Sequence, residues 1–226
     1  MGPGVTVETV KDQLVASRSA TEGWGNLLTD QWFSKGSDGY DKARVVLEIV
    51  ELGGEIRLGV TMKNYRASNM DDDISKNRNA TVLVSETGMF TRKGTKPDQI
   101  YKPVPQLPLK VGDRIVLAVD IGNDEMMKCE VLRKNMKGQL KSMTNTNDVD
   151  LEDQGGGLDK VGHELAVVLA IGPVTEAGKA TRVRIVGSSS SKTPKGVKSA
   201  PDTKEAASEE ETKVDPMVAA AQSSGA

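Results

Sequence analysis

The chain reads as an all-β protein: a two-sheet antiparallel β-sandwich followed by a disordered C-terminal tail. Three observations predict this. From about Val45 onward apolar residues recur with a period of two; the runs are short and separated by Gly-, Pro- and Asn-rich turns; and no stretch shows a helical period of comparable clarity. With 226 residues and 37% hydrophobic content, the chain can bury one sizeable core. The expected division is an N-terminal extension over 1–20, a sandwich over 21–187 with a polar insert at about 141–163, and a tail over 188–226.

Each element follows from local pattern. "VETVKDQLVAS" is compatible with either a short helix or an edge strand. In "ARVVLEIVEL", Val45, Leu47 and Ile49 share a face; in "EIRLGVTM", Ile56, Leu58, Val60 and Met62 share one face, with Glu55, Arg57 and Thr61 on the other. Gly53-Gly54 lies between these runs and predicts a tight hairpin, because glycine supplies the positive φ such a turn needs. "NATVLVSETGMFTRKG" repeats the alternation over Ala80, Val82 and Val84. In "LPLKVGDRIVLAVDIGNDEMMKCEVLRKN", Ile115, Leu117, Val119 and Ile121 face one way, "GND" turns the chain, and Met127, Cys129 and Val131 face back. "ELAVVLAIG" and "ATRVRIVG" are two further runs joined across "PVTEAGK". The glycine-rich "SMTNTNDVDLEDQGGGLDKVG" is longer than an ordinary hairpin loop and reads as an excursion from the sandwich. After Gly187, Ser, Ala, Lys, Glu and Pro dominate, and such a segment does not repay its ordering entropy by burial.

Charge and cysteine content narrow the function classes. A formal net charge of -2 supplies no global basic field, so nucleic acid is not an expected partner. The lone Cys129 makes neither an intramolecular disulfide nor a cysteine-based zinc site, which fits a reducing compartment, cytoplasmic or nuclear. The longest apolar run, "LAVVLAIGPV", is too short to span a bilayer, and no h-region follows a basic start; a soluble protein without membrane contact is expected. "MGPGVT" fits a myristoylation pattern, but Pro3 alters the backbone next to the acceptor glycine.

Catalytic groups are sparse. His163 is the single histidine, and Cys129 lies on an apolar strand face where a thiol packs as a small hydrophobe. "GMFTRKGT" nears the spacing of a phosphate loop, but Lys93 and Gly94 stand in reversed order and Pro97 follows where a helix should open. "DVDLEDQGGGLD" sets Asp148, Asp150, Glu152 and Asp159 at calcium-loop spacing, yet Asp153 occupies the position that demands glycine. Asp71-Asp72-Asp73 has no regular ligand spacing. No catalytic residue, metal or cofactor is expected.

The order of "YDKARVVLEIVELGGEIRLGVTMKNYRASN", "NATVLVSETGMFTRKG", "IYKP" and "LKVGDRIVLAVDIGNDEMMKCEVLRKN" resembles the SPRY domain, a protein-interaction module built as a bent β-sandwich. The likeness covers roughly Thr21 to Gly187. Gly59, Asn64, Tyr65, Gly112-Asp113 and Asp120 fall where that family's pattern places them, whereas Leu47 and Val131 replace aromatics, which marks a divergent member. The resemblance implies that Val111-Gly112-Asp113 is a strand-entry turn, with the glycine strained and the carboxylate bonded to nearby N–H groups. It also implies a non-enzymatic adaptor whose loops at one end bind a protein or peptide, working as a monomer or as a subunit of a hetero-complex. Tyr65, Arg66 and Asn69 in one loop, with Arg92, Lys93 and Tyr101 in the next, are the candidate contacts, since Tyr and Arg combine apolar contact with directional bonds. Trp24, Trp32 and Phe33 are assigned to packing. Two alternatives stand beside this reading: a lectin-like glycan-binding sandwich, and a structural subunit of a larger assembly. An enzyme using His163 and the acidic loops ranks behind them.

Overall fold

The computed structural model describes residues 4–30, 32–35, 40–62, 73–74, 80–85, 108–122, 126–143, 147–150, 164–176 and 178–191. Among them the chain forms strands β1 (Val5–Val10), β2 (Gln13–Arg18), β3 (Gly25–Leu28), β4 (Lys42–Glu51), β5 (Gly54–Met62), β6 (Ala80–Ser85), β7 (Arg114–Asp120), β8 (Met126–Lys134), β9 (Leu140–Ser142), β10 (Asn147–Asp150), β11 (Leu165–Val174) and β12 (Thr181–Ser191). No helix among these residues is long and apolar enough to cross a membrane.

An eight-stranded sheet runs β1-β2-β12-β4-β7-β8-β10 with β9 also on β8, and a four-stranded sheet runs β3-β11-β5-β6; all pairings are antiparallel. The expected two-sheet sandwich therefore forms. Period-two alternation aims Val45, Leu47 and Ile49 of β4, and Ile115, Leu117 and Val119 of β7, at Ile56, Leu58 and Val60 of β5. Val167, Leu169 and Ile171 of β11 complete that core from the smaller sheet.

Several expectations change. Residues 5–18, read as an extension, build β1 and β2, which join the larger sheet through β12. The helix-or-strand ambiguity resolves as a hairpin whose two-residue turn, Lys11-Asp12, holds φ of 51° and 61°, matching the twist of a type I′ turn without glycine. Leu140–Ser142 and Asn147–Asp150 of the expected excursion are strands on β8, so the start of the would-be calcium loop is paired backbone. β12 continues through Ser191, past the Gly187 boundary, paired with β4. Residues 192–226 lie outside the described residues.

The Gly53-Gly54 hairpin does not form. β4 and β5 belong to different sheets, so the glycines carry the chain from one sheet to the other, and neither has positive φ. Glycine is required there for proximity. A Cβ on Gly54 would lie 2.3 Å from the Pro173 carbonyl oxygen, and one on Gly53 2.9 Å from that of Ala180. β11 and β12 make a second crossing between the sheets, and the two crossings interlock. The amides of Gly53 and Gly54 donate to the buried Thr181 Oγ1 at 3.1 and 2.7 Å, and the Thr175 amide donates to the Gly53 carbonyl.

Arg18 fastens the same corner. It is 3% exposed, and its guanidinium donates to the carbonyls of Ala20, Glu22 and, across the sandwich, Gly172. Burial lowers its pKa from the ordinary arginine value.

The outer face of the smaller sheet is covered, which the alternation did not foresee. Arg57 and Thr61 were assigned outward, yet both are buried, and Val168 and Ala170 form a second cluster with Ile74, flanked by Trp24 and Leu28. Arg57 pairs with Glu55 and Asp73 and lies 3.9 Å from the centre of the Trp24 ring. With both faces of β11 buried, its continuous apolar sequence has a physical cause.

Candidate functional site

The sandwich has two unlike ends. At the corner end lie Glu51, Gly53, Gly54, Thr181 and the Gly112-Asp113 turn, all held by hydrogen bonds that are buried or half-buried. Gly112 takes φ of 88° as expected, its amide donates to the Ile49 carbonyl, and the Ile49 amide donates back to that of Asp113. The Asp113 carboxylate, 1% exposed, accepts the Lys110 amide at 2.8 Å, as the resemblance implied. Sequence reasoning missed its second partner: Arg133 donates to it from Nε at 2.7 Å and Nη2 at 2.6 Å. That bond raises the Arg133 pKa.

The far end is reached by following the registers. Lys42 pairs with Asp120 on one side and Ser191 on the other; Asp120 and Asp150 both pair with Met126; Leu165 pairs with Met62, and Thr61 with Ala80. Reciprocal backbone bonds tie Phe33 to Leu165 of the smaller sheet and the Ser34 amide donates to the Tyr40 carbonyl leading into β4, while bonds from Asp41 to Ser191 and from Ile121 to Asp41 extend the larger sheet. The connections 63–79 and 151–163 and the chain after Ser191 all depart from this end.

On the outer face of the larger sheet at the far end, a shallow concavity of about 370 Å³ is lined by Lys42 and Arg44 of β4, Ala118 and Asp120 of β7, Lys128 of β8, and Ser189 and Ser191 of β12. The charges sit there because the inward positions between them, Ala43, Val45, Val119, Cys129 and Met127, supply the core. Asp120 holds Lys42 at 2.6 Å and accepts the Gly122 amide at 3.0 Å, which pins the acid at the turn. Arg44 is exposed, with no ion pair among the described residues. At the corner half of this face the guanidinium groups are engaged instead: Glu48 pairs with Arg114 at 3.0 Å and Arg184 at 3.6 Å. The shelf is thus cation-rich and mixed in sign, suited to a carboxylate flanked by main-chain donors. The alternation Lys42-Ala43-Arg44 on the outward positions of a strand was the signal that would have found it.

Tyr65, Arg66, Asn69, Arg92, Lys93 and Tyr101 lie outside the described residues, as does His163. Their anchors separate them. The segment with Tyr65, Arg66 and Asn69 leaves from Met62 and returns at Ala80, both at the far end; the segment with Arg92, Lys93 and Tyr101 leaves from Ser85, the register partner of Ile56, at the corner end. Phe33 is core, as assigned, and Trp24 packs in the second cluster.

Cys129 is directly beneath the shelf but faces the interior. Burial pushes its thiol well above the ordinary value, which disfavours the thiolate that nucleophilic chemistry needs. The folded chain is expected to resist a disulfide-exchange reagent at pH 8 and to react stoichiometrically once unfolded in guanidinium; rapid labelling of the folded chain would contradict the assignment. No cluster of three or more His, Cys, Asp or Glu side chains able to hold a metal occurs among the described residues.

No family model and no curated protein matches the sequence. Solved structures do match in fold. A human SPRY domain aligns at 13% identity over 80% of this chain and 96% of that one, with a TM-score of 0.47. Arcelin-5, a lectin-like defense protein from Phaseolus vulgaris, aligns at 11% identity over 80% of this chain and 87% of that one, with a TM-score of 0.51. An alginate lyase, A1-II′ of polysaccharide lyase family 7, aligns at 12% identity over 83% and 84%, with a TM-score of 0.44. At such identities the likeness shows a shared sandwich fold alone.

Proposed function

We propose that this chain is a non-catalytic interaction module that holds an acidic peptide segment of a protein partner on the far-end shelf. The outward placement of Lys42, Arg44 and Lys128 around Asp120, on the end from which the Tyr65-Arg66-Asn69 segment departs, carries the reading. A carboxylate of the partner pairs with Arg44, whose fork suits that geometry, while the serine hydroxyls and Asp120 engage main-chain groups. Asp120 disfavours a polyanion such as nucleic acid, and so does the overall net charge of -2. The SPRY resemblance in the sequence points to the same class of partner. A glycan-binding alternative would want an open aromatic platform, and the Trp24 ring is already stacked by Arg57.

The test is affinity capture from lysate with the intact chain and with a Lys42→Glu/Arg44→Glu double variant, each checked for an unchanged circular dichroism spectrum. About tenfold or greater loss of specific partners is expected from the double variant, because removing a hydrogen-bonded charge typically costs this much or more. Lys137→Glu, exposed on the β8–β9 turn at the corner end, should leave recovery unchanged. Equal recovery with all three chains would refute the shelf as the docking surface.

A further inference from the structure

A second site lies along one edge of the sandwich, where β12 parts from β2. β12 pairs with β4 along almost its whole length, from Arg182 to Ser191, but with β2 only over Thr181–Arg184. Beyond Val15, the partner of Arg184, β2 diverges toward the Lys11-Asp12 turn. Its departure leaves the backbone of β12 from Ile185 to Ser191 with no second strand among the described residues. A strand edge of this length is a template for main-chain pairing unless something blunts it. The edge carries neither proline nor lysine, its side chains from Ser188 to Ser191 are hydroxymethyl groups, and the one irregularity along it is a bulge between Ile185 and Gly187, which leaves Ser188–Ser191 in regular register with β4.

Below this fork the core is incompletely filled. A slot of about 60 Å³ runs between the sheets, lined by Val7 and Ala16, Leu27 and Leu28, Val45 and Leu47, with Ile185 and Ser188 on the β12 side and Asp30 at its rim. It continues into a smaller void of about 10 Å³ beside Phe33 and Ser190. Its cause is visible in β12. Ser188 and Ser190 pair with Val45 and Ala43, at positions where neighbouring strands place valine, leucine or isoleucine on the core. Interiors are normally packed without such gaps, and an apolar void does not hold water stably.

We infer that the open edge of β12 receives an extended peptide strand from a partner, one of whose aliphatic side chains fills the slot. The edge supplies main-chain hydrogen bonds, which are indifferent to sequence, and the slot supplies selection. Its volume sets the chemistry: an engineered cavity of ~150 Å³ accepts benzene, so a slot less than half that size takes the end of a leucine, isoleucine or methionine and excludes an aromatic ring. This site reads shape and backbone. It borders the shelf at Ser189 and Ser191 but does not use the shelf's charges.

The probe is a soluble nine-residue peptide, acetyl-Thr-Lys-Thr-Lys-Leu-Lys-Thr-Lys-Thr-amide, titrated into the full chain and followed by amide NMR shifts. Saturable shifts are expected over Ile185–Ser191. They should weaken at least tenfold when the central leucine is replaced by phenylalanine or aspartate, and vanish when alternate peptide amides are N-methylated. Ser188→Leu should fill the slot from within, abolishing the shifts while keeping or raising the unfolding midpoint, whereas Lys137→Glu, on the distant β8–β9 turn, should leave them unchanged. Absence of saturable shifts in the native chain, binding that survives Ser188→Leu in a folded variant, or shifts confined to other strands would overturn the proposal.

Discussion

Asp113→Ala is expected to lower the unfolding free energy by about 3 kcal/mol, read as a fall in the urea midpoint at unchanged slope. The substitution removes three hydrogen bonds at once: one from the Lys110 amide and two from the Arg133 guanidinium. What remains is costlier than what is lost. The Lys110 amide loses its acceptor at a turn that is tied to β4 through Gly112 and Ile49, and Arg133 keeps only the Pro108 carbonyl from its present set. Arg133 retains some solvent access, with 20% side-chain exposure, so water recovers part of the loss and the cost stays near the low end for breaking a buried pair. Asp113→Asn keeps one acceptor oxygen and should cost roughly half as much. If the pair is the cause, Arg133→Met and Asp113→Ala combined will cost markedly less than the sum of the single changes. Strict additivity would assign the effect to the turn alone.

Gly54→Ala is expected to be comparably damaging, about 3 kcal/mol or failure to fold, by a different route. Because Gly54 does not have positive φ, alanine meets no backbone strain there. It meets the Pro173 carbonyl oxygen at 2.3 Å and the Pro173 carbon at 3.0 Å, atoms held by the interlocked crossings between the sheets. Relief requires the two crossings to move apart, which stretches both amide bonds to Thr181 Oγ1. Gly138→Ala provides the contrast. That glycine has φ of 76° and nothing within 4 Å of an added Cβ, so its cost is the left-handed conformation alone, roughly 1 kcal/mol. A Gly54→Ala chain no less stable than Gly138→Ala would return Gly53-Gly54 to an ordinary turn.

The alternating residues of β4, β5, β7 and β8 were legible because a period of two on a half-buried sheet admits one assignment of faces, and Val45, Leu47, Ile115, Leu117 and Met127 all turn inward as read. The pairing of those strands was less legible. Two runs around Gly-Gly look alike whether they fold back as a hairpin or cross between sheets, since only contact with a third segment, here Pro173 and Ala180, separates the two. Burial on the second face of the small sheet escaped for the same reason: the outward positions Arg57 and Thr61 are polar, and the cover on that face, Trp24 against Arg57 and Ile74 against Val168 and Ala170, comes from segments outside those strands. The Gly112-Asp113 turn was foreseen in its φ and its amide bond, whereas Arg133 lies twenty residues on and enters only when β7 and β8 pair. The shelf was hidden because its members come from four strands, and the loop residues chosen for binding drew attention away from outward positions within β4.

Hydrogen–deuterium exchange on the full chain, free and bound to a captured partner, tests the docking end most directly. Protection on binding is predicted at Lys42–Val45, around Lys128 and at Ser188–Ser191, with exchange at Gly53, Gly54 and Ala180 unchanged. Protection confined to the corner end, with the far end exchanging as in the free chain, would contradict it.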